Sequence, residues 1–122
     1  MRKILFTLAL MAAAVTASAQ DWPYYLGPTA DLHSPQKNLL REWPAEGPEV
    51  VWETKVGIGY GGPVVQDGKV YLLDRDAEKE TETMRCMELA TGKEVWSYSY
   101  PSTGAVMFPG SRSVPTIDGK YV

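Results

Sequence analysis

Cysteine and histidine are nearly missing from this 122-residue chain, each occurring once. A single thiol, Cys86, cannot close an internal disulfide, which excludes a secreted domain stapled by disulfides. Cys86 sits in an apolar run and reads as a small buried hydrophobe. His33 stands alone in a polar, proline-flanked stretch and reads as a solvated loop residue, with no partner to make it a base or a ligand. Bases are also in deficit: 12 Lys and Arg against 15 Asp and Glu give a formal net charge of −3. An acidic surface lacks the basic patch that nucleic-acid phosphates require, so no nucleic-acid partner is expected. No apolar run reaches the roughly 20 residues that a bilayer core demands, so no membrane span is expected.

The apolar stretch over residues 4–15 follows Arg2-Lys3 and is closed by Ala17-Ser18-Ala19. A positive start, a short apolar segment and a small-residue cleavage site together make a secretory signal peptide over residues 1–19. The mature chain is then expected to begin at Gln20, in the periplasm or outside the cell. No cysteine lies near the cleavage point to carry a lipid anchor.

Proline and glycine are plentiful and cut the chain into short segments. Residues 20–48 carry Pro23, Gly27-Pro28, Pro35, Pro44 and Gly47-Pro48, too many breakers for a long helix or a central strand. Trp22, Tyr24, Tyr25 and Trp43 lie among them, so the segment reads as an irregular lead-in resting on a packed surface rather than a disordered tail.

From residue 49 the pattern changes to strands. In residues 51–56, Trp52, Thr54 and Val56 share one face by the two-residue period, and Glu53 and Lys55 the other. Pro63-Val64-Val65 and Val70-Tyr71-Leu72-Leu73 flank Gln66-Asp67-Gly68-Lys69, whose Asp-Gly pair supplies the positive φ angles of a type I′ hairpin. Residues 74–80 are charged and predict an exposed turn, with Glu78-Lys79-Glu80 solvated. A third strand is expected over residues 83–89. Ala90-Thr91-Gly92-Lys93 turns the chain, Gly92 being suited to a left-handed position. A fourth strand follows over residues 94–100, with Trp96, Tyr98 and Tyr100 on one face and Ser97 and Ser99 on the other.

The chain also repeats itself. Gly62-Pro63-Val64-Val65-Gln66-Asp67-Gly68-Lys69-Val70-Tyr71 is echoed by Val114-Pro115-Thr116-Ile117-Asp118-Gly119-Lys120-Tyr121, and Trp52 is echoed by Trp96. The spacing of about 40–50 residues is that of one propeller blade. The expectation is an all-β chain, a β-propeller of four-stranded antiparallel blades with the first blade and the start of a second present. Residues 49–122 hold these repeats. Such a chain is a piece of something larger, with further blades expected downstream, because a blade cannot cover both of its faces alone.

Leu89-Ala90-Thr91-Gly92-Lys93-Glu94-Val95-Trp96 resembles the Ala-Thr-Gly-Lys-x-x-Trp signature of the pyrroloquinoline-quinone-like (PQQ-like) propeller repeat. That repeat is shared by quinoprotein dehydrogenases and by the propeller subunit of the bacterial outer-membrane protein assembly machinery. Asp21-Trp22-Pro23 and Arg112-Ser113-Val114-Pro115-Thr116 are similar to secreted members of this superfamily that carry the repeats without an established enzyme activity. The resemblance implies that the tryptophan ending an outer strand docks between adjacent blades, a structural task for Trp96, for Trp52 and for the turn at Gly92. Where the family usually has Asp before that turn, this chain has Glu88.

The function expected from these features is a binding or assembly scaffold. A quinone-dependent alcohol or sugar dehydrogenase of the same fold, with PQQ and calcium as cofactors, is the alternative, and a propeller hydrolase or lyase is the third. A dehydrogenase of this kind implies a calcium ligand set, a catalytic Asp and often a disulfide between adjacent cysteines, none of which can be singled out here. Two segments, residues 57–62 and 101–113, connect an outer strand to the next inner strand and open toward the central channel, where binding loops commonly lie. They carry Tyr60 and Arg112, an amphipathic ring and a planar cation suited to an anionic ligand or partner.

Overall fold

In the computed structural model, described for residues 20–37, 39–104 and 107–122, the chain forms one sheet of four strands: β1 (Val64–Gln66), β2 (Lys69–Asp76), β3 (Thr81–Glu88) and β4 (Glu94–Pro101). The strands lie in sequence order, every neighbour antiparallel. The fold is all-β, as expected, and the sheet is that of a propeller blade. The segment read as a signal peptide lies outside the described residues. Among the described residues no helix is long and apolar enough to cross a membrane.

Local chemistry explains the turns. Asp67 and Gly68 both take positive φ, 50° and 70°, and pair Gln66 with Lys69, as the type I′ geometry requires. After β2, the Asp76 carboxylate accepts hydrogen bonds from the amides of Glu78 and Lys79, each at 3.1 Å, and pairs with the Lys79 ammonium at 2.9 Å. Its pKa is lowered, first by the side-chain hydrogen bond from Lys79 and then by the Lys79 amide. The β3–β4 turn carries Gly92 at φ 68°, and the register slips by one residue between Cys86 and Met87, a bulge that raises the local twist.

Strand alternation divides the sheet into two unlike faces. One carries Val70, Leu72 and Asp74 beside Met87, Arg85 and Thr83, with Ser97 and Ser99 on β4. The other carries Tyr71, Leu73 and Arg75 beside Cys86 and Met84, with Trp96, Tyr98 and Tyr100. The core is small: Val64, Val70, Leu73, Cys86, Met87 and, from the following repeat, Ile117.

Three expectations are corrected. Residues 51–56 form no strand, because strand geometry is held by a ladder and no other described segment pairs with them. The charged turn begins later than expected: β2 runs through Asp76, and Asp74 and Arg75 are buried in it. Of the aromatic residues in the lead-in only Trp22 is held against the sheet, exchanging two backbone hydrogen bonds with Val65 at 2.8 and 2.9 Å. Tyr24, Tyr25 and Trp43 are exposed.

Candidate functional site

The connections expected to face the channel come together. Past the end of β1, Ile58 takes over the free edge of β2, exchanging two backbone hydrogen bonds with Arg75 at 2.9 and 3.0 Å. The second connection lies parallel to the first: Tyr60 N donates to Ser111 O at 2.7 Å, and Ser111 N donates to Ile58 O at 3.2 Å. The close approach depends on small residues. A Cβ at Gly61 would stand 2.2 Å from the Ser113 carbonyl oxygen, which no real side chain could do.

Tyr60 and Arg112 therefore occupy neighbouring backbone positions, the Arg112 carbonyl lying 3.5 Å from where a Gly61 Cβ would stand. Both side chains are exposed, Tyr60 to 58%. The Tyr60 ring meets Phe108 edge-on, with centroids 6.0 Å apart and planes at 78°. No stacking or hydrogen-bond contact joins Tyr60 to the Arg112 guanidinium. Phe108 was missed by sequence reasoning because nothing local marks it as a neighbour of Tyr60.

Beneath these loops lie two groups that the sequence did not single out. Arg75 is 4% exposed, and its Nη1 donates to Ser102 Oγ at 2.7 Å. Its Nε is buried with no acceptor among the described residues, and Ser111, 0% exposed, has a hydroxyl that likewise finds no partner. On the sheet's other face Arg85 is fully engaged, its Nε on Asp74 Oδ2, its Nη2 3.5 Å from Asp74 Oδ1, and its Nη1 3.1 Å from Glu94 Oε2. The hydrogen bond to Asp74 pushes the Arg85 pKa up, against the opposing effect of burial. Thr83 and Ser99 hydroxyls hydrogen-bond across the same face at 2.8 Å.

The three residues to which the repeat signature gives a packing task are placed differently from one another. Trp52 Nε1 donates to the Leu89 carbonyl at 2.8 Å, and its ring lies so close to Gly92 that a Cβ there would stand 2.5 Å from Cε3. Trp96 is 39% exposed. Its ring tilts toward Tyr71, centroids 6.2 Å apart, on a face shared with Tyr98 and Tyr100. The difference is one of partners: Trp52 has a Gly-containing turn to rest on, and no described segment offers a second such turn to Trp96.

A four-stranded antiparallel sheet built on this signature is consistent with one blade of a PQQ-like propeller. Among known proteins, the chain is 30% identical over 106 residues to the outer membrane protein assembly factor BamB of Xanthomonas campestris pv. campestris. The match covers 80% of this chain and 25% of that protein, so the chain spans about a quarter of the length of the relative it matches. It is a distant homologue of this PQQ-like propeller protein. No family model matches the chain. No solved structure matches it.

Among the described residues no group of three or more His, Cys, Asp or Glu is placed to hold a metal ion. The calcium that the resemblance attaches to dehydrogenases thus has no such cluster among the described residues. The described site combines an exposed ring and an exposed cation, Tyr60 and Arg112, with two buried hydrogen-bond donors, Arg75 Nε and Ser111 Oγ.

Proposed function

We propose that this chain is part of an exported PQQ-like β-propeller that works as a binding or assembly scaffold in the cell envelope. The similarity to an outer membrane protein assembly factor over most of the chain carries the reading. The blade connections support it. Tyr60 and Arg112 are exposed on adjacent backbone segments and offer apolar area together with a planar cation, a combination suited to an anionic partner. Export through residues 1–19, a lead-in over residues 20–48 and repeats over residues 49–122 complete the proposed organisation. Trp52, Gly92 and Trp96 hold blades together in this reading and take no part in recognition.

The test is site-specific photo-crosslinking in the exported full chain. A crosslinking residue at position 60 should capture one discrete envelope protein, and Arg112→Glu should abolish that adduct. An equal yield from position 25, an exposed tyrosine outside the connections, overturns the reading. So does an adduct that Arg112→Glu leaves unchanged.

A further inference from the structure

The two edges of the sheet are treated differently. Along the β1–β2 side, Val65 exchanges backbone hydrogen bonds with Trp22, and Arg75 exchanges them with Ile58, whose carbonyl also accepts from Ser111. On the opposite side β4 bonds only to β3 among the described residues, and it is exposed along nearly its whole length. Natural edge strands are short or guarded by lysine, proline or a bulge, and propeller edges in particular are short and protected. β4 is eight residues long, its bulge precedes Trp96, and Pro101 is its last residue, so residues 96–100 carry no guard.

Register tells which backbone groups this edge offers. Ser102 N donates to Glu80 O at 2.7 Å, which makes Glu80 and Ser102 a hydrogen-bonded pair. Alternation along an antiparallel ladder then turns the N–H and C=O of Trp96, Tyr98 and Tyr100 toward β3, and those of Ser97 and Ser99 away from it. Pro101, which has no N–H, falls in the outward set. The order Trp96, Ser97, Tyr98, Ser99, Tyr100 is also a palindrome in kind: aromatic, serine, tyrosine, serine, aromatic.

We propose that the free edge of β4 is a self-recognition surface, pairing antiparallel with β4 of a second copy of this chain about a twofold axis at Tyr98. In that register Ser97 lies opposite Ser99 of the second copy, and the two exchange both backbone hydrogen bonds; the axis repeats the pair. Tyr98 meets its own equivalent and Trp96 meets Tyr100 in the closer, non-hydrogen-bonded pairs, where aromatic partners stabilise a sheet. Tyr98 is 67% exposed in the single chain, so it has surface to bury. Like charges do not meet, because Glu94, the one charged residue of β4, falls opposite Ser102 at each end of the joint ladder. An axis at Ser99 would set Ser97 against Pro101, which has no donor. An axis at Ser97 would set Tyr100 against Glu94 instead of a ring.

The experiment uses the full chain with no other protein present. The Ser97 and Ser99 amides face solvent in a single copy, so in the dimer their hydrogen exchange should slow by about tenfold or more, and dilution that separates the copies should restore it. Tyr98→Cys should link two copies under mild oxidation, because a non-hydrogen-bonded pair holds its Cα atoms about 4.5 Å apart. Ser97→Cys is the control: it meets its own equivalent only across the diagonal, roughly 7–8 Å away, which is too far for a disulfide. Cys86 is 0% exposed and does not compete. Fast exchange at Ser97 and Ser99 at every concentration overturns the proposal, including in a chain that associates through another surface. So does protection of these amides in a chain that sediments as a monomer, or equal linking by the two cysteine variants. The exchange measurement is made on the wild-type chain and decides even if neither variant folds.

Discussion

The Trp52 indole packs against Gly92 while its Nε1 donates to the carbonyl of Leu89, 37 residues further along the chain. One contact thus ties a segment without regular structure to the turn that carries the repeat signature. The glycine has a double reason to be there: its φ is 68°, and it leaves room for a ring that any Cβ would strike.

Gly92→Ala should accordingly cost more than a positive φ alone explains. Strain and overlap with the ring together predict a loss of about 2–4 kcal/mol. Gly68→Ala is the control, since Gly68 has φ 70° and nothing within 4 Å of an added Cβ. It should lose about 1 kcal/mol. Urea unfolding of the two variants checks the difference, and equal losses would show that the Trp52 contact does not form in solution.

Arg85→Ala should be among the more damaging substitutions on the polar face. It would leave Asp74, whose side chain is 3% exposed, as a buried carboxylate without its cation. Breaking such a pair from one side costs about 3–5 kcal/mol. Replacing both partners, Asp74→Leu with Arg85→Met, should recover most of the loss, because the uncompensated charge is gone. Chemical denaturation of the single and double variants measures this.

Tyr100 should ionise late. Its hydroxyl donates to Glu82 Oε2 at 2.7 Å, and that hydrogen bond, followed by burial, pushes its pKa up to about 12. The unfolded value is about 10. The native state therefore holds the proton more tightly, so the associated stability is fully present below about pH 10 and is lost as the pH rises toward about 12. Near-ultraviolet absorbance titration should show one tyrosine ionising after the others, and Glu82→Gln should bring it down.

Cys86 should be silent toward thiol reagents in the folded chain. It is 0% exposed, and burial pushes its thiol pKa up, so both access and thiolate are scarce. Its modification rate should rise only with denaturant, in step with loss of the sheet. Rapid labelling under native conditions would mean that β2 and β3 separate easily.

How much was legible in the sequence depended on range. The hairpin at Asp67-Gly68 was readable because a two-residue turn needs positive φ at both positions, and the Asp-Gly pair supplies it. The two faces of β4 were readable because side chains alternate regardless of what lies beyond them. The strand expected over residues 51–56 had the right alternation but lacked a ladder, and alternation cannot report whether a neighbour exists. Asp74 and Arg75 read as an exposed turn because they are charged. Arg85, which pairs with Asp74, and Ser102, which accepts from Arg75, sit on other elements, and no local pattern announces either contact.

The sequence by itself determined that this protein is made of short antiparallel strands in a blade-like repeat, since strand period and turn conformation are set by residues within a few positions of one another. Only the tertiary structure decided that Trp52 and not Trp96 rests on the Gly92 turn, that Tyr60 and Arg112 come from adjacent backbones, and that Arg75 and Ser111 flank one carbonyl. These are contacts between segments tens of residues apart. They are fixed by which backbone edges remain free to hydrogen-bond and which residues are small enough to let two chains approach, and no local pattern encodes either.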